Sequence, residues 1–143
     1  MANRRETILI LEDTPARIER FERVLQSQLA NADRLIVNTK EGMLGLLEQH
    51  LDRAFAISLD HDLYVSGVDD PGDGLQVATE LSKLTPCCRV IIHTSNSDKS
   101  RQMQGVLEAE RWDVRLAGAI GEDWIEKDWI TEVAAAYKSA NAQ

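Results

Sequence analysis

The stretch "AFAISLDHDL", residues 54–63, joins an apolar run to three consecutive ionisable groups, Asp60, His61 and Asp62. Phe55, Ala56, Ile57 and Leu59 read as a strand buried on both faces, because such strands are continuous apolar runs rather than alternating ones. A carboxylate leaves water only at a large cost unless it is paired, hydrogen-bonded or bound to metal. The run must therefore end at an open edge, and its acids mark a place that binds something.

The same grammar holds on either side of this strand. "TILILED" (7–13) is a short apolar run ending in Glu12 and Asp13. A helix follows over 15–30, with Ile18, Phe21, Val24, Leu25 and Leu29 at helical spacing. Asp13 or Thr14 can cap it, and Pro15 suits its first turn. "RLIVNT" (34–39) is a second strand, and 40–51 is a helix weakened by Gly42 and Gly45. After the strand at 54–62, a Gly- and Asp-rich loop leads into a helix over 75–84, which Pro86 ends. "RVIIHTSN" (89–96) is the fourth strand, and a helix follows over 97–110. "DVRLAGAI" (113–120) is the fifth strand, and 122–140 closes with Ile125, Trp129, Val133 and Tyr137 on one stripe.

Five strands alternating with five helices predict a flavodoxin-like, doubly wound α/β domain, a five-stranded parallel sheet between two helical layers. Ligands of such sheets bind outside the carboxyl ends of the strands. Those ends carry Glu12 and Asp13, Asp60 to Asp62, and His93 to Asn96. Every unusual polar residue thus falls where this fold places its site.

The 143 residues suit a single domain spanning 1–143. No run is long enough to cross a bilayer and no cleavable signal is evident, so a cytoplasmic, membrane-free protein is expected. The two cysteines, Cys87 and Cys88, are adjacent and too few for a disulfide framework. They fit a reducing compartment and read as structural or incidental. A net charge of −8 opposes an extensive nucleic-acid surface, yet leaves room for one small phosphate.

Glu12, Asp13 and Asp60 bring three carboxylates together, with Asp62 close by. Their repulsion would raise at least one pKa unless a cation neutralised them. Mg²⁺ or Mn²⁺ is the natural partner. A solvated acidic edge is the plainer alternative. Thr94 or Ser95 adds a hydroxyl, and the helix after Asn96 turns its free N–H groups toward any bound anion. Asn96, Lys99 and Arg101 could add donors, although plain helix capping also explains Asn96 and Ser97. His61 and His93, at the ends of neighbouring strands, could lie side by side as general base and general acid on a phosphodiester. His50 and the loop acids Asp69, Asp70 and Asp73 need no such role. Trp124 and Trp129 recur at helical spacing and read as packing anchors or an interaction face, and neither is close in sequence to the acids.

The acidic pair at 12–13, Asp60 and Thr94 resemble the receiver domains of response regulators, which share the CheY-like fold. Receivers also carry a lysine at the end of the fifth strand, and "RLAGAIGED" offers none; Lys127 lies too far into the last helix. Two further elements, "LDHDL" (59–63) and His93, Thr94, Asn96 with Met103, are similar to the cyclic-phosphate-processing receiver domains. That resemblance implies a metal-dependent phosphoesterase acting on a cyclic or terminal phosphate, such as an RNA 2′,3′-cyclic phosphate. Its catalytic residues would be Asp60, His61 and His93, with Thr94, Ser95, Asn96 and Lys99 on the phosphate. Two other functions fit the pattern. One is a non-catalytic module regulating a protein partner or a second copy of the chain; the other is a single-domain receiver phosphorylated on Asp60.

Overall fold

The five apolar runs become the strands of one parallel sheet in a computed structural model that describes residues 4–142. The elements, in chain order, are β1 (Thr7–Leu11), α1 (Pro15–Gln28), β2 (Asp33–Val37), α2 (Lys40–His50), β3 (Ala54–Leu59), α3 (Gly74–Leu81), β4 (Arg89–Ile92), α4 (Ser97–Glu108), β5 (Asp113–Leu116) and α5 (Ile130–Ala140). Strand order is β2-β1-β3-β4-β5, with every pairing parallel. This is the doubly wound order whose switch point lies between β1 and β3.

Both faces of the sheet are covered, which is why its strands carry continuous apolar runs. Leu9, Leu11, Ile57, Leu59, Val90 and Ile92 pack with Met43, Val77, Leu81, Met103 and Leu107 of α2, α3 and α4. Ile8, Ile10, Ala56 and Ile91 pack with Phe21 and Leu25 of α1 and Val133 and Ala136 of α5. The stripe expected near the carboxyl terminus does face inward, through Ile125, Trp129, Val133 and Tyr137. Among the described residues no helix is long and apolar enough to cross a membrane.

Two boundaries differ from expectation for physical reasons. β5 ends at Leu116 and not at Ile120. Its partner β4 stops at Ile92, so Ala117 N–H, donating to Ile92 O at 3.0 Å, makes the last ladder bond. Beyond it the chain leaves the sheet, and Ile120 is exposed. The expected single helix over 122–140 is divided. Ile125–Trp129 forms a π-helical turn, in which Trp129 N–H donates to Trp124 O at 2.9 Å, before α5 begins. The wider turn leaves Trp124, Ile125 and Trp129 all buried.

Candidate functional site

Register assembles the site. Leu11, Leu59 and Ile92 are partners across β1, β3 and β4. The next residue on each strand is Glu12, Asp60 and His93. Ladder bonds continue into these residues: Glu12 N–H donates to Val37 O at 3.0 Å, Asp60 N–H to Leu11 O at 3.1 Å, and His93 N–H to Leu59 O at 2.9 Å. Side chains alternate along a strand. The leucines and Ile92 point toward α2, α3 and α4, so the trio stands on the opposite side with α1. All three side chains are buried, and one ligand atom from each lies within 4.8 Å of the others.

Glu12 is fully engaged. Its Oε2 accepts from the N–H groups of Asp13 and Thr14, both at 3.0 Å, and its Oε1 faces His93 Nε2 at 3.1 Å. Burial alone would raise its pKa. The hydrogen bond and charge of His93, the Thr14 N–H and the Arg17 guanidinium outweigh burial and hold it at about 2. An ionised carboxylate only accepts hydrogen bonds, so His93 Nε2 is the protonated nitrogen facing it. On the other side of the ring, Nδ1 lies 2.6 Å from Ser58 Oγ. Ser58 Oγ in turn accepts the indole N–H of Trp129 at 2.9 Å. A buried line Trp129–Ser58–His93–Glu12 thus fixes the imidazole.

Asp60 is the ill-satisfied member. Its Oδ1 accepts from His61 N–H at 2.8 Å, and Arg17 Nη1 stands 3.8 Å from Oδ2. Burial, with the Glu12 charge adding to it and His93 opposing it, pushes its pKa up to about 7. Arg17 also lies 3.6 Å from Glu12 Oε1 and rests 5.5 Å from the centre of the Trp124 ring. Trp124 stacks on His93 with ring centres 5.9 Å apart. It therefore belongs to the site as a packing anchor, although it is far from the acids in sequence. Arg17 and Trp124 are the residues that local sequence does not single out. The one hint for Arg17 is its place in the first turn of α1, directly after the acidic pair.

His61 and His93 do not stand side by side. His61 follows Asp60 and so turns to the other face, where its Nδ1 accepts Leu75 N–H at 3.2 Å at the start of α3. Its Nε2 lies 3.7 Å from Asp62 Oδ1. Asp62 is exposed and accepts from Asn96 Nδ2 at 3.4 Å. Asp62 and Asn96 thus form a rim at the ends of β3 and β4, with His61 buried beneath it. Asp13 is half-buried outside the trio, its Oδ2 holding the 60–73 loop through Tyr64 N–H at 2.6 Å. Burial comes first among the influences that raise its pKa. Thr94 is buried and its Oγ1 accepts Asn96 N–H at 3.2 Å, while Asn96 Oδ1 caps α4 through Lys99 N–H at 3.2 Å. Ser95 is exposed and Lys99 half-exposed.

Gly74 lets α3 approach this edge. A Cβ there would stand 1.9 Å from Asp60 O and 2.8 Å from His61 Cα, and backbone cannot yield as a flexible side chain does. Gly74→Ala is expected to cost about 1–3 kcal/mol through overpacking and to displace the Asp60–His61 segment. Denaturant unfolding with the amide spectrum of residues 58–64 checks it; unaltered stability and shifts would show that α3 does not seat against this backbone.

Acids at the ends of the first and third strands of a 2-1-3-4-5 parallel sheet define a receiver domain of the response-regulator type. The sequence profile of the "Cyclic-phosphate processing Receiver domain" matches residues 7–109, and the chain belongs to that family. Its fold is shared with the signal receiver domain of an HD domain-containing protein from Pseudomonas fluorescens Pf-5, at 13% identity over 98% of this chain and 100% of that one, TM-score 0.73. A CheY-like receiver domain protein from Methanospirillum hungatei JF-1 is similar at 16% identity over 94% and 97%, TM-score 0.67. The Mn(2+)-bound form of response regulator Rcp1 is similar at 17% identity over 96% of each chain, TM-score 0.66. No curated protein sequence matches. Where receivers carry their lysine, this chain has Leu116, Ala117 and Gly118, and Lys127 is exposed and paired with Asp123 at 2.9 Å. The cation that reaches the trio is Arg17.

Proposed function

We propose that residues 1–143 act as one receiver-like domain, a metal-dependent cytoplasmic phosphoesterase that opens a cyclic phosphate. Its substrate class is the 2′,3′-cyclic phosphate of a nucleotide or RNA end. The observation that carries this reading is the placement of Asp60, a carboxylate buried beside ionised Glu12 with the Arg17 guanidinium 3.8 Å away. Two buried carboxylates with oxygens converging within 4.8 Å, beside an imidazole whose N–H already serves Glu12, fit a hard divalent ion that prefers oxygen ligands. Glu12 and Asp60 would hold it, with Asp13 and Asp62 at the margin. When bound, Mg²⁺ or Mn²⁺ supplies Lewis acidity toward a phosphoryl oxygen.

The remaining work falls to the chain's own groups. His93, fully buried, does not reach the substrate; it positions Glu12 through its Nε2–H. His61 takes the proton-transfer role, because its Nδ1 is occupied by Leu75 N–H while its Nε2, though largely buried, faces the exposed Asp62. Thr94, Ser95 and Asn96 at the start of α4, with Lys99 one turn on, steady the phosphate where the helix terminus favours an anion.

The test is incubation with a nucleoside 2′,3′-cyclic phosphate and Mg²⁺ or Mn²⁺ beside an Asp60→Asn variant. Metal-dependent ring opening confined to the native chain is expected. Tight ion binding without turnover would overturn the enzyme and leave a module that regulates a partner. Arg17→Gln offers a second check. Removing a positive charge that competes with the ion is expected to tighten Mn²⁺ binding by about 1 kcal/mol, or roughly fivefold. Calorimetric titration reads it; weaker binding would show that Arg17 organises the carboxylates and does not compete for them.

A further inference from the structure

The loop over 60–73, between β3 and α3, begins at the crevice and carries Tyr64, 83% exposed, and Val68, also exposed. We propose that Tyr64 stacks on the nucleobase of the cyclic phosphate and that the hollow beside it receives that base. The proposal rests on the cyclic-phosphate reading above and adds what the ligand carries beyond its phosphate.

Three observations support it. The first is place. Tyr64 N–H donates to Asp13 Oδ2 at 2.6 Å, and Asp13 N–H donates to Glu12 Oε2 at 3.0 Å. The backbone of residue 64 is thus two hydrogen bonds from a carboxylate of the trio. The far end of the loop is tied as well. Pro71 O accepts Lys40 N–H at 2.7 Å, Gly74 N–H donates to His61 O at 2.9 Å, and Asp73 caps α3. Between these ties, Val68 N–H donates to Val65 O at 3.2 Å, with Gly67 at a φ of 80° in the turn. A loop held at both ends loses less freedom when a ligand settles on it.

The second is the ring itself. Large aromatic side chains bury most of their surface, and Phe21, Phe55, Trp124 and Trp129 do so here. Tyr64 joins neither core cluster and meets no other aromatic ring among the described residues. Its buried neighbour Leu63 supplies the packing at this point of the loop.

The third is the hollow, about 550 Å³, within the roughly 300–1,000 Å³ of small-molecule sites. Its apolar wall is Leu63, Tyr64, Val65, Val68 and Pro71, and its polar members are Ser66 and Asp69. Among the described residues no cation lines it, so it does not suit a second phosphate. It suits a flat, uncharged heteroaromatic ring. Every base offers a π-face to an aromatic side chain, and an exocyclic amine offers the N–H that a carboxylate accepts.

The base is remote from the bond that breaks, so stacking acts on ground state and transition state alike. Its loss raises KM and leaves kcat in place.

The experiment compares the native, Tyr64→Ala and Tyr64→Phe chains with Mg²⁺ on cytidine 2′,3′-cyclic phosphate and on glycerol 1,2-cyclic phosphate, which has no base. Tyr64→Ala is expected to raise KM for the nucleotide about tenfold or more with kcat kept. Tyr64→Phe should match the native chain, and all three should open glycerol cyclic phosphate alike. Calorimetric titration with cytidine 2′-monophosphate, which has no ring to open, separates stacking from catalysis. Weaker binding by Tyr64→Ala beside native-like binding by Tyr64→Phe would uphold the base site even with no turnover, an outcome that overturns the phosphoesterase alone. No binding of the monophosphate by the native chain, equal binding by Tyr64→Ala, or an equal loss with glycerol cyclic phosphate would overturn the proposal.

Discussion

Replacing His61 by glutamine is expected to lower the rate of ring opening by about 10²–10⁴-fold, the usual contribution of a positioned acid or base, while Mn²⁺ affinity changes less than about twofold. The expectation follows from how the ring is held. Leu75 N–H occupies Nδ1 at 3.2 Å, so a neutral ring carries its proton on Nε2, which lies 3.7 Å from Asp62 Oδ1. That nitrogen, beneath the exposed Asp62, is the group that would hand a proton to a leaving oxygen. Glutamine can still accept from Leu75 N–H through its amide oxygen but transfers no proton, so the variant separates chemistry from architecture. Turnover at saturating Mn²⁺, beside a thermal melt and a metal titration, checks the prediction. A turnover within about threefold of the native chain would remove His61 from proton transfer, and loss of Mn²⁺ binding would recast it as part of the ion's shell.

The fold was legible because a parallel sheet covered on both faces leaves a direct trace: "TILIL", "AFAISL" and "RVII" are apolar without alternation. The acids at the ends of those runs were legible for the complementary reason, that ionisable groups do not continue a buried strand. Register was harder. Leu11, Leu59 and Ile92 being partners is what selects Glu12, Asp60 and His93 as the compact trio and turns His61 away. A one-residue slip exchanges faces, and no residue type near 60–62 announces which slip occurs. Ser58 is a lone hydroxyl in an apolar strand, and nothing in the local sequence marks it. It is the acceptor of Trp129 and the partner of His93, a role that exists only once α5 has packed. The π-helical turn that delivers Trp124 and Trp129 is a product of that packing, since Ile125, Trp129, Val133 and Tyr137 fit an ordinary helical stripe equally well. Arg17 belongs to the same class: its partners Glu12 and Asp60 lie 5 and 43 positions away, and the latter is brought near by the β1–β3 pairing.

Without a divalent ion, the chain is expected to lose stability as pH rises from about 4 to 7, and Asp60→Asn is expected to abolish most of that loss. Asp60 titrates at about 7 in the fold against an ordinary 3.8. Between those values the folded chain binds a proton that the unfolded chain has released, so stability falls with rising pH. A shift of this size corresponds to about 4 kcal/mol at 1.36 kcal/mol per unit, an order-of-magnitude figure. Glu12, held at about 2 against 4.5, has the opposite sign. Its contribution is present above about 4.5 and disappears as pH falls toward 2, so the two limbs are separate. In the variant, an asparagine amide can keep the acceptor for His61 N–H and turn its Nδ2 toward Glu12, donating where two carboxylates had faced each other. Urea unfolding of both chains at pH 4.5 and 7.5 checks it, because the two chains differ only at residue 60. Mn²⁺ at pH 7.5 should then stabilise the native chain by about 2.7 kcal/mol at a hundredfold excess over its dissociation constant and leave the asparagine variant unmoved. Equal pH dependence in the two chains would show that Arg17 and His93 already neutralise Asp60. The charge deficit that favours a cation would then be gone, and the case for an ion in this crevice would rest on the convergence of its donors alone.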